Sequence, residues 1–304
     1  MTAIYIAIGK KCGYLDYVRA QNPPTFPVTL KFRKTNNSGA KQPSHRSSSS
    51  SDNVLGSLLG FMAHEDRCEV TSPVASEPIY VVPIYWKTLC RLLPDVDSVV
   101  YVDTDILFFR PVEELWFMLH NFNKSQVIGI PPEDPHRTGW YTHVAKHPSY
   151  PPTGVNTGVL VMNLTRLRAI DFPSKIVDLY KIWYSKIKWG EQDVVNIWLH
   201  YNPEKLYLIS CEWNFRNDHC NGGNACKGAE KNGIGILHGN GQQYLIPGKR
   251  PELMAINDAF LKYLSSENPK ADIAEAVKRN LANVRRVTDC LKALRYIFRD
   301  LTLP

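Results

Sequence analysis

The chain has 304 residues, 44% hydrophobic and 21% charged, which excludes wholesale disorder and gives enough apolar surface for one large domain or two modest ones. Lys and Arg number 36 against 29 Asp and Glu, a formal charge of +7. The basic residues are dispersed except for small clusters such as Lys278-Arg279 and Arg285-Arg286, too thin for a nucleic-acid surface, so no nucleic-acid partner is expected. No apolar run approaches the roughly 18 to 20 residues that span a bilayer, and Ile4–Ile8 and Val54–Met62 are the longest candidates. Neither end reads as a signal peptide or an anchor.

Residues 1–80 form an atypical N-terminal segment. Asn22-Pro23-Pro24 and Phe26-Pro27 break every periodic pattern there. Its residues 41–53, KQPSHRSSSSSDN, read as a loop or linker, too polar to order by burial. Patterning becomes dense after Pro78, and residues 81–268 are expected to form the main domain. Ser98–Val102 is a run of β-branched and aromatic residues that stops at Asp103, which predicts a buried strand of a parallel sheet. Arg110–Trp116 carries helix-start chemistry, with Pro111 early and acids in the first turn.

Gln126–Ile130 and Val155–Met162 are predicted strands, Lys175–Trp183 and Glu191–Leu199 predicted helices, and Leu206–Ile209 and Ile234–Leu237 further strands. Strands alternating with helices define an α/β fold. Residues 269–304 read as a helical extension packing on the main domain, periodic from Asp272 to Leu301. Of seven cysteines, Cys211, Cys220 and Cys226 crowd one stretch, with Cys290 a downstream partner. Four cysteines allow three pairings, and a structural zinc site competes with disulfides although no C-x-x-C pair exists. Sequons at Asn36, Asn123 and Asn163 favour a secretory lumen.

Asp103-Thr104-Asp105 places two carboxylates on alternate residues at a strand end, a hard oxygen site able to hold Mg²⁺ or Mn²⁺ against a diphosphate. The competing reading is a pair capping the next helix. Asp95-Val96-Asp97 has the same spacing and reads as a solvated turn. His238 closes a strand before Gly239-Asn240-Gly241 and is either a metal ligand or a structural strand-end residue. Glu191-Gln192-Asp193 begins a helix, where acids also simply oppose the helix dipole. Asn156, within Gly154–Gly158, offers an amide for sugar hydroxyls or an ordinary turn.

Five segments in this order carry a resemblance: YVDTDILFFRPVEELW (101–116), GWYTHVAKHPSYPPTGVNTGVLVMNLTRLR (139–168), WGEQDVVNIWLHYNPEKL (189–206), CEWNFRNDHC (211–220) and GIGILHGN (233–240). From Val99 to Tyr244 the chain resembles family 8 glycosyltransferases, most closely the glucoside xylosyltransferases. The resemblance implies a GT-A (Rossmann-like) fold and a retaining transferase that moves xylose from UDP-xylose, in α-1,3 linkage, to O-linked glucose on EGF-like repeats of glycoproteins. It further implies Mn²⁺ held by Asp103, Asp105 and His238, and donor contacts from Asp103, Thr104, Asp105, Asn156, Gly239, Asn240 and Lys249.

Gln192, Glu191 and Asp193 are the implied catalytic and positioning group, with Gln192 near the anomeric carbon. Trp140 and Tyr141 are acceptor-side candidates, and Cys211, Cys220, Cys226 and Cys290 match disulfide cysteines of the family. Family members are type II membrane proteins of the ER and Golgi lumen. Residues 1 to about 85 depart from the pattern: the family's uridine-binding strand and helix are not recognisable, and Trp86 and Lys87 stand where an Arg is expected. Two alternatives therefore stay open, another UDP-hexose donor or an inactive GT-A binding protein.

Overall fold

The computed structural model describes residues 90, 93–103, 105–134, 140–220, 225–240, 243, 244, 246, 248–263, 265–299 and 301–303, together with the backbone of 4–8 and 15–19. The Ser-rich tract 41–53, Trp86, Lys87, Thr104 and Asn36 lie outside the described residues. Six strands form one sheet. They are β1 (Ile4–Ile8), β2 (Leu15–Arg19), β3 (Ser98–Asp103), β5 (Ile128–Ile130), β6 (Val159–Asn163) and β7 (Leu206–Leu208), in the order β2-β1-β3-β6-β5-β7. Between β3 and β5 come β4 (Ile106–Phe108) and a short helix, α1 (Glu113–Phe117).

All six residues of β3 are buried because both faces of the strand are covered. Val99 and Tyr101 enter one apolar cluster, Val100 and Val102 another, the period-2 consequence of the pleat. The sheet is mixed and not parallel: β3 runs parallel to β1 but antiparallel to β6, and β5 runs antiparallel to β6 but parallel to β7. A continuous apolar run reports burial on two faces, which a central strand has whichever way its neighbours point. The strand expected from Val155 begins only at Val159, since Gly154 takes φ +82° and residues 156–158 turn toward the sheet's end.

Helix α2 (Trp140–Val144) precedes β6, and α3 (Leu164–Ala169) follows it, capped by the Asn163 side chain, which accepts from the Arg166 amide at 2.9 Å. The sequon at Asn163 is thus occupied as a helix cap. Helices α4 (Phe172–Trp183) and α5 (Glu191–Tyr201) cover one face of the sheet through Phe172, Ile176, Val195 and Trp198. After β7 come α6 (Lys227–Asn232) and β8 (Ile236–His238). The sequence suggests a strand at Ile234–Leu237. It forms two residues later, pairing antiparallel with β4 in a separate two-stranded sheet, with Ile106 opposite His238. Gly235, just before the strand, extends the same pairing by accepting from the Phe109 amide at 2.8 Å, and a Cβ there would stand 2.8 Å from the Trp213 ring.

The tail holds α7 (Pro251–Tyr263), α8 (Pro269–Asn283) and α9 (Asp289–Ile297). The single periodic stretch expected from 272 to 301 is two helices. Thr288 starts a new one by accepting from the Leu291 amide at 2.9 Å, while Arg295 donates back to the carbonyls of Leu281, Ala282 and Val284 that end α8. Leu253 and Phe260 of α7, Ile273 and Val277 of α8, and Leu291 and Leu294 of α9 share one cluster with Leu107 of β4 and Leu237 of β8. Disulfides join Cys211 to Cys226 and Cys220 to Cys290, so these sulfurs are committed to each other and the zinc reading falls. Cys90 is free and buried. No helix among the described residues is long and apolar enough to cross a membrane.

Phe172 is fully buried edge-on to Trp198, ring centroids 4.7 Å apart. Phe172→Ala is expected to cost about 3–5 kcal/mol in denaturant unfolding. Val287→Ala, at a residue 62% exposed, should stay within about 0.5 kcal/mol of wild type.

Candidate functional site

β3 ends at Asp103, whose backbone amide donates to the Gly158 carbonyl at 2.9 Å and whose Oδ1 accepts from the Tyr101 hydroxyl at 3.0 Å. Asp105 follows at the head of β4. The β4–β8 pairing then sets His238 beside both carboxylates, with Nε2 3.5 Å from Asp103 Oδ2 and 3.2 Å from Asp105 Oδ1. The Gly239 amide donates to the Asp105 carbonyl at 2.6 Å and locks this register. Ligand atoms of the three residues lie within 4.8 Å of one another.

His238 Nε2 is buried and satisfied by no hydrogen bond among the described residues, the mark of a group shaped for something else. Burial pushes the His238 pKa down, but Asp103 and Asp105 outweigh it and raise it above the ordinary value. The same negative field suits a divalent cation, and one imidazole with two carboxylates fits Mn²⁺ or Mg²⁺. The helix-capping alternative fails, because the N-cap of α1 is Val112 and no side chain caps the helix. Asp97, of the look-alike pair, is exposed just after the turn at 94–95 and accepts from the Thr165 hydroxyl at 2.8 Å.

Beside the triad is a cleft of about 360 Å³. Asp103 and Asn240 line it next to the triad, together with the buried Asn156 and Glu133 and with Gly190, Glu191 and Gln192. Gly190, at φ +58°, turns the chain so that α5 points its first turn into the cleft. Asn196 ties α5 to the chain beside Asn156: its Oδ1 accepts from the Val155 amide at 2.9 Å and its Nδ2 donates to the Val155 carbonyl at 2.8 Å. Trp140, 37% exposed, and Trp189 form an aromatic corner at the rim, ring centroids 5.3 Å apart. Tyr141 lies fully buried beneath them and away from the cleft.

Glu133 escaped the sequence reading. Its carboxylate is 1% exposed, accepts from Asn156 Nδ2 at 2.7 Å and Gln192 Nε2 at 3.1 Å, and lies 3.6 Å from the buried Arg216 guanidinium. Burial raises its pKa against the opposing pull of Arg216. The available signal was a carboxylate just beyond β5, the rule that singled out Asp103, masked by Pro131 and Pro132.

Of the expected site residues, Asp105, His238 and Gly239 stand at the triad beside the cleft without lining it, and Lys249 and Asp193 are not in the cleft either. Lys249 is exposed on a turn and absent from the lining. Asp193 is fully buried behind the wall, where Oδ1 accepts from the Tyr141 hydroxyl at 2.7 Å and faces His147 Nε2 at 3.2 Å, while Oδ2 accepts from the Lys188 and Trp189 amides at 2.6 and 2.9 Å. The first turn of a helix turns successive side chains by about 100°, so Glu191 and Gln192 face the cleft while Asp193 anchors the loop bearing Trp189. Burial raises the Asp193 pKa, but His147, the two amides and Tyr141 outweigh it and hold the carboxyl below its ordinary value. His147 is lowered by burial and raised more by Asp193 and the Pro148 carbonyl.

A mixed α/β sheet with a carboxylate and histidine cluster at a strand end is the frame of a nucleotide-sugar transferase of the GT-A type. The sequence profile of glycosyl transferase family 8 matches residues 73–243, more than half the chain, and the protein belongs to that family. It is 42% identical over 209 residues to glucoside xylosyltransferase 2 of Mus musculus, covering 61% of this chain and 47% of the relative. It is 36% identical over 245 residues to glucoside xylosyltransferase 1 of Danio rerio, covering 77% and 58%. The chain spans about half the length of the relatives it matches. Among solved structures it is similar to apo mouse xyloside xylosyltransferase 1, at 21% identity and TM-score 0.41 over 55% of this chain and 65% of that one.

The Asp193 contribution to stability is present above the ordinary carboxylate value of 3.8 and lost as pH falls through the lowered folded value. The His147 contribution is present below 6.5 and lost as pH rises through its raised value. Asp193→Asn is therefore expected to destabilise by about 3 kcal/mol between these limits. Denaturant unfolding across pH should show the gap to wild type narrowing at both extremes.

Proposed function

We propose that the protein is a retaining glycosyltransferase that moves xylose from UDP-xylose to O-linked glucose on EGF-like repeats of glycoproteins, in α-1,3 linkage, using Mn²⁺ at Asp103, Asp105 and His238. The observation that carries this reading is the convergence of those three residues beside a cleft that Asp103 shares with Asn156, Glu133, Glu191 and Gln192. The names of the relatives support xylose as the transferred sugar and a glucoside as acceptor. The two disulfides favour an oxidising lumen, in keeping with the ER or Golgi.

When bound, the metal would neutralise charge developing on the departing UDP. The chain's own groups hold the sugar. Gln192 Nε2 donates to Glu133, which leaves its carbonyl Oε1 and a second N–H for the ligand. An uncharged amide is a poor nucleophile, so Gln192 positions and supports and does not bond covalently. Asn156 spends its carbonyl and one N–H inside the protein and keeps one N–H for a hydroxyl. Glu191 supplies a carboxylate at the rim, suited to accept from sugar hydroxyls. Trp140 and Trp189 offer apolar faces to an acceptor ring.

Calorimetry with UDP should show binding that requires Mn²⁺ and disappears in Asp105→Ala. No UDP binding by the folded wild type would refute the assignment. UDP-xylose should turn over faster than UDP-glucose or UDP-galactose, although an extra CH₂OH is discriminated by only about 1–3 kcal/mol. Trp140→Ala should raise the acceptor KM by about two- to tenfold with UDP affinity unchanged, the loss appropriate to one aromatic contact.

A further inference from the structure

His238, Asn214, Asn156, Glu133 and Gln192 form a continuous buried chain of hydrogen bonds. His238 Nδ1 is 2.8 Å from Asn214 Oδ1, Asn214 Nδ2 is 2.8 Å from Asn156 Oδ1, and Asn156 Nδ2 is 2.7 Å from Glu133 Oε2, where Gln192 Nε2 also arrives at 3.1 Å. The direction of this chain is forced. The Gly158 amide, which can only donate, contacts Asn156 Oδ1 at 3.0 Å and fixes that oxygen as the acceptor. Asn214 must then present Nδ2 to Asn156, which turns its Oδ1 to His238. Only an N–H at Nδ1 satisfies that oxygen, so the lone pair of the neutral imidazole is left on Nε2, the atom facing Asp103 and Asp105. Gly158 admits the ring, since a Cβ there would lie 2.3 Å from His238 Cε1.

We infer that Asn214 is a positioning residue that sets the tautomer of His238 and thereby creates the metal-binding nitrogen, with the Gly158 amide as the origin of the polarity. The inference rests on the metal site proposed above. Asn214 is fully buried and does not line the cleft, so it reaches a cation only through His238. Outer hydrogen bonds of this kind typically change metal affinity by about 10- to 100-fold when removed. Because Asn156 and Glu133 belong to the same chain and line the cleft, the device also joins the metal ligand to the cleft lining.

The test is Mn²⁺ affinity without donor, read from the EPR signal of the free ion, in wild type, Asn214→Leu and Asn214→Asp, each checked for folding by circular dichroism. Asn214→Leu should weaken Mn²⁺ binding by about 10- to 100-fold. Asn214→Asp keeps an acceptor for the Nδ1 proton but gives up the donor to Asn156 Oδ1, so it should recover most but not all of the affinity that Asn214→Leu loses. Unchanged affinity in a folded Asn214→Leu overturns the inference, and equal loss in both variants does so too, by assigning the effect to packing. Should Asn214→Leu fail to fold, the imidazole ¹⁵N spectrum of Mg²⁺-loaded wild type decides: a proton on Nδ1 of His238 supports the inference, and one on Nε2 overturns it. A wild type that takes up no Mn²⁺ instead removes the metal site itself, and the tautomer role with it.

Discussion

The antiparallel pairing of β4 with β8 is the constraint from which the site follows. Asp103 and Asp105 are neighbours along the chain, but a carboxylate pair at a strand end is only half a cation site. Placing Ile106 opposite His238, with the Gly239 amide closed onto the Asp105 carbonyl, brings a distant imidazole within 3.2 Å of Asp105. The backbone hydrogen bonds of two three-residue strands would be too weak alone. They persist because Leu107 and Leu237 are buried against the terminal helices. The C-terminal helices therefore buttress the strand that carries His238, and the Cys220–Cys290 disulfide ties the turn after Asn214 to α9.

The interior behind the cleft is unusually polar for a core. Glu133, Asn156, Asn214, Asp193, Asn196 and His238 are all nearly or fully buried. Each such group costs about 1–3 kcal/mol if left unpaired, so the set is stable only because nearly every member is held by its neighbours. That requirement fixes side-chain orientation more tightly than apolar packing would, since an amide turned by 180° opposes donor to donor. Asp193 shows the economy: one carboxylate holds Tyr141, His147 and two loop amides and so fixes the segment that carries Trp189 and Gly190.

Much of this was legible along the chain. Ser98–Val102, the helices at 175–183 and 191–199, and the carboxylates beyond β3 announce themselves because burial pattern and strand-end chemistry are local properties. The mixed direction of the sheet, the break between α8 and α9, and the withdrawal of Asp193 and Lys249 from the cleft were not legible. Periodicity continues across a break when both helices face the same cluster, and the side from which a first-turn carboxylate is met depends on what packs there. Glu133 and Asn214 stayed hidden for a different reason: neither lies in a patterned motif of its own, and each acquires a role only through partners far away in sequence.

By itself the sequence determined the strands near 98–103, 128–130, 159–163 and 206–208, the helices near 172–183 and 191–201, the chemistry available at their ends and the family to which the chain belongs. It did so because hydrophobic period and residue type act over a few residues. The tertiary structure alone decided which of those groups meet, which carboxylate faces the cleft and which nitrogen of His238 faces Asp103 and Asp105. Those outcomes depend on long-range strand pairing and on the directional closure of buried hydrogen bonds, which no local pattern encodes.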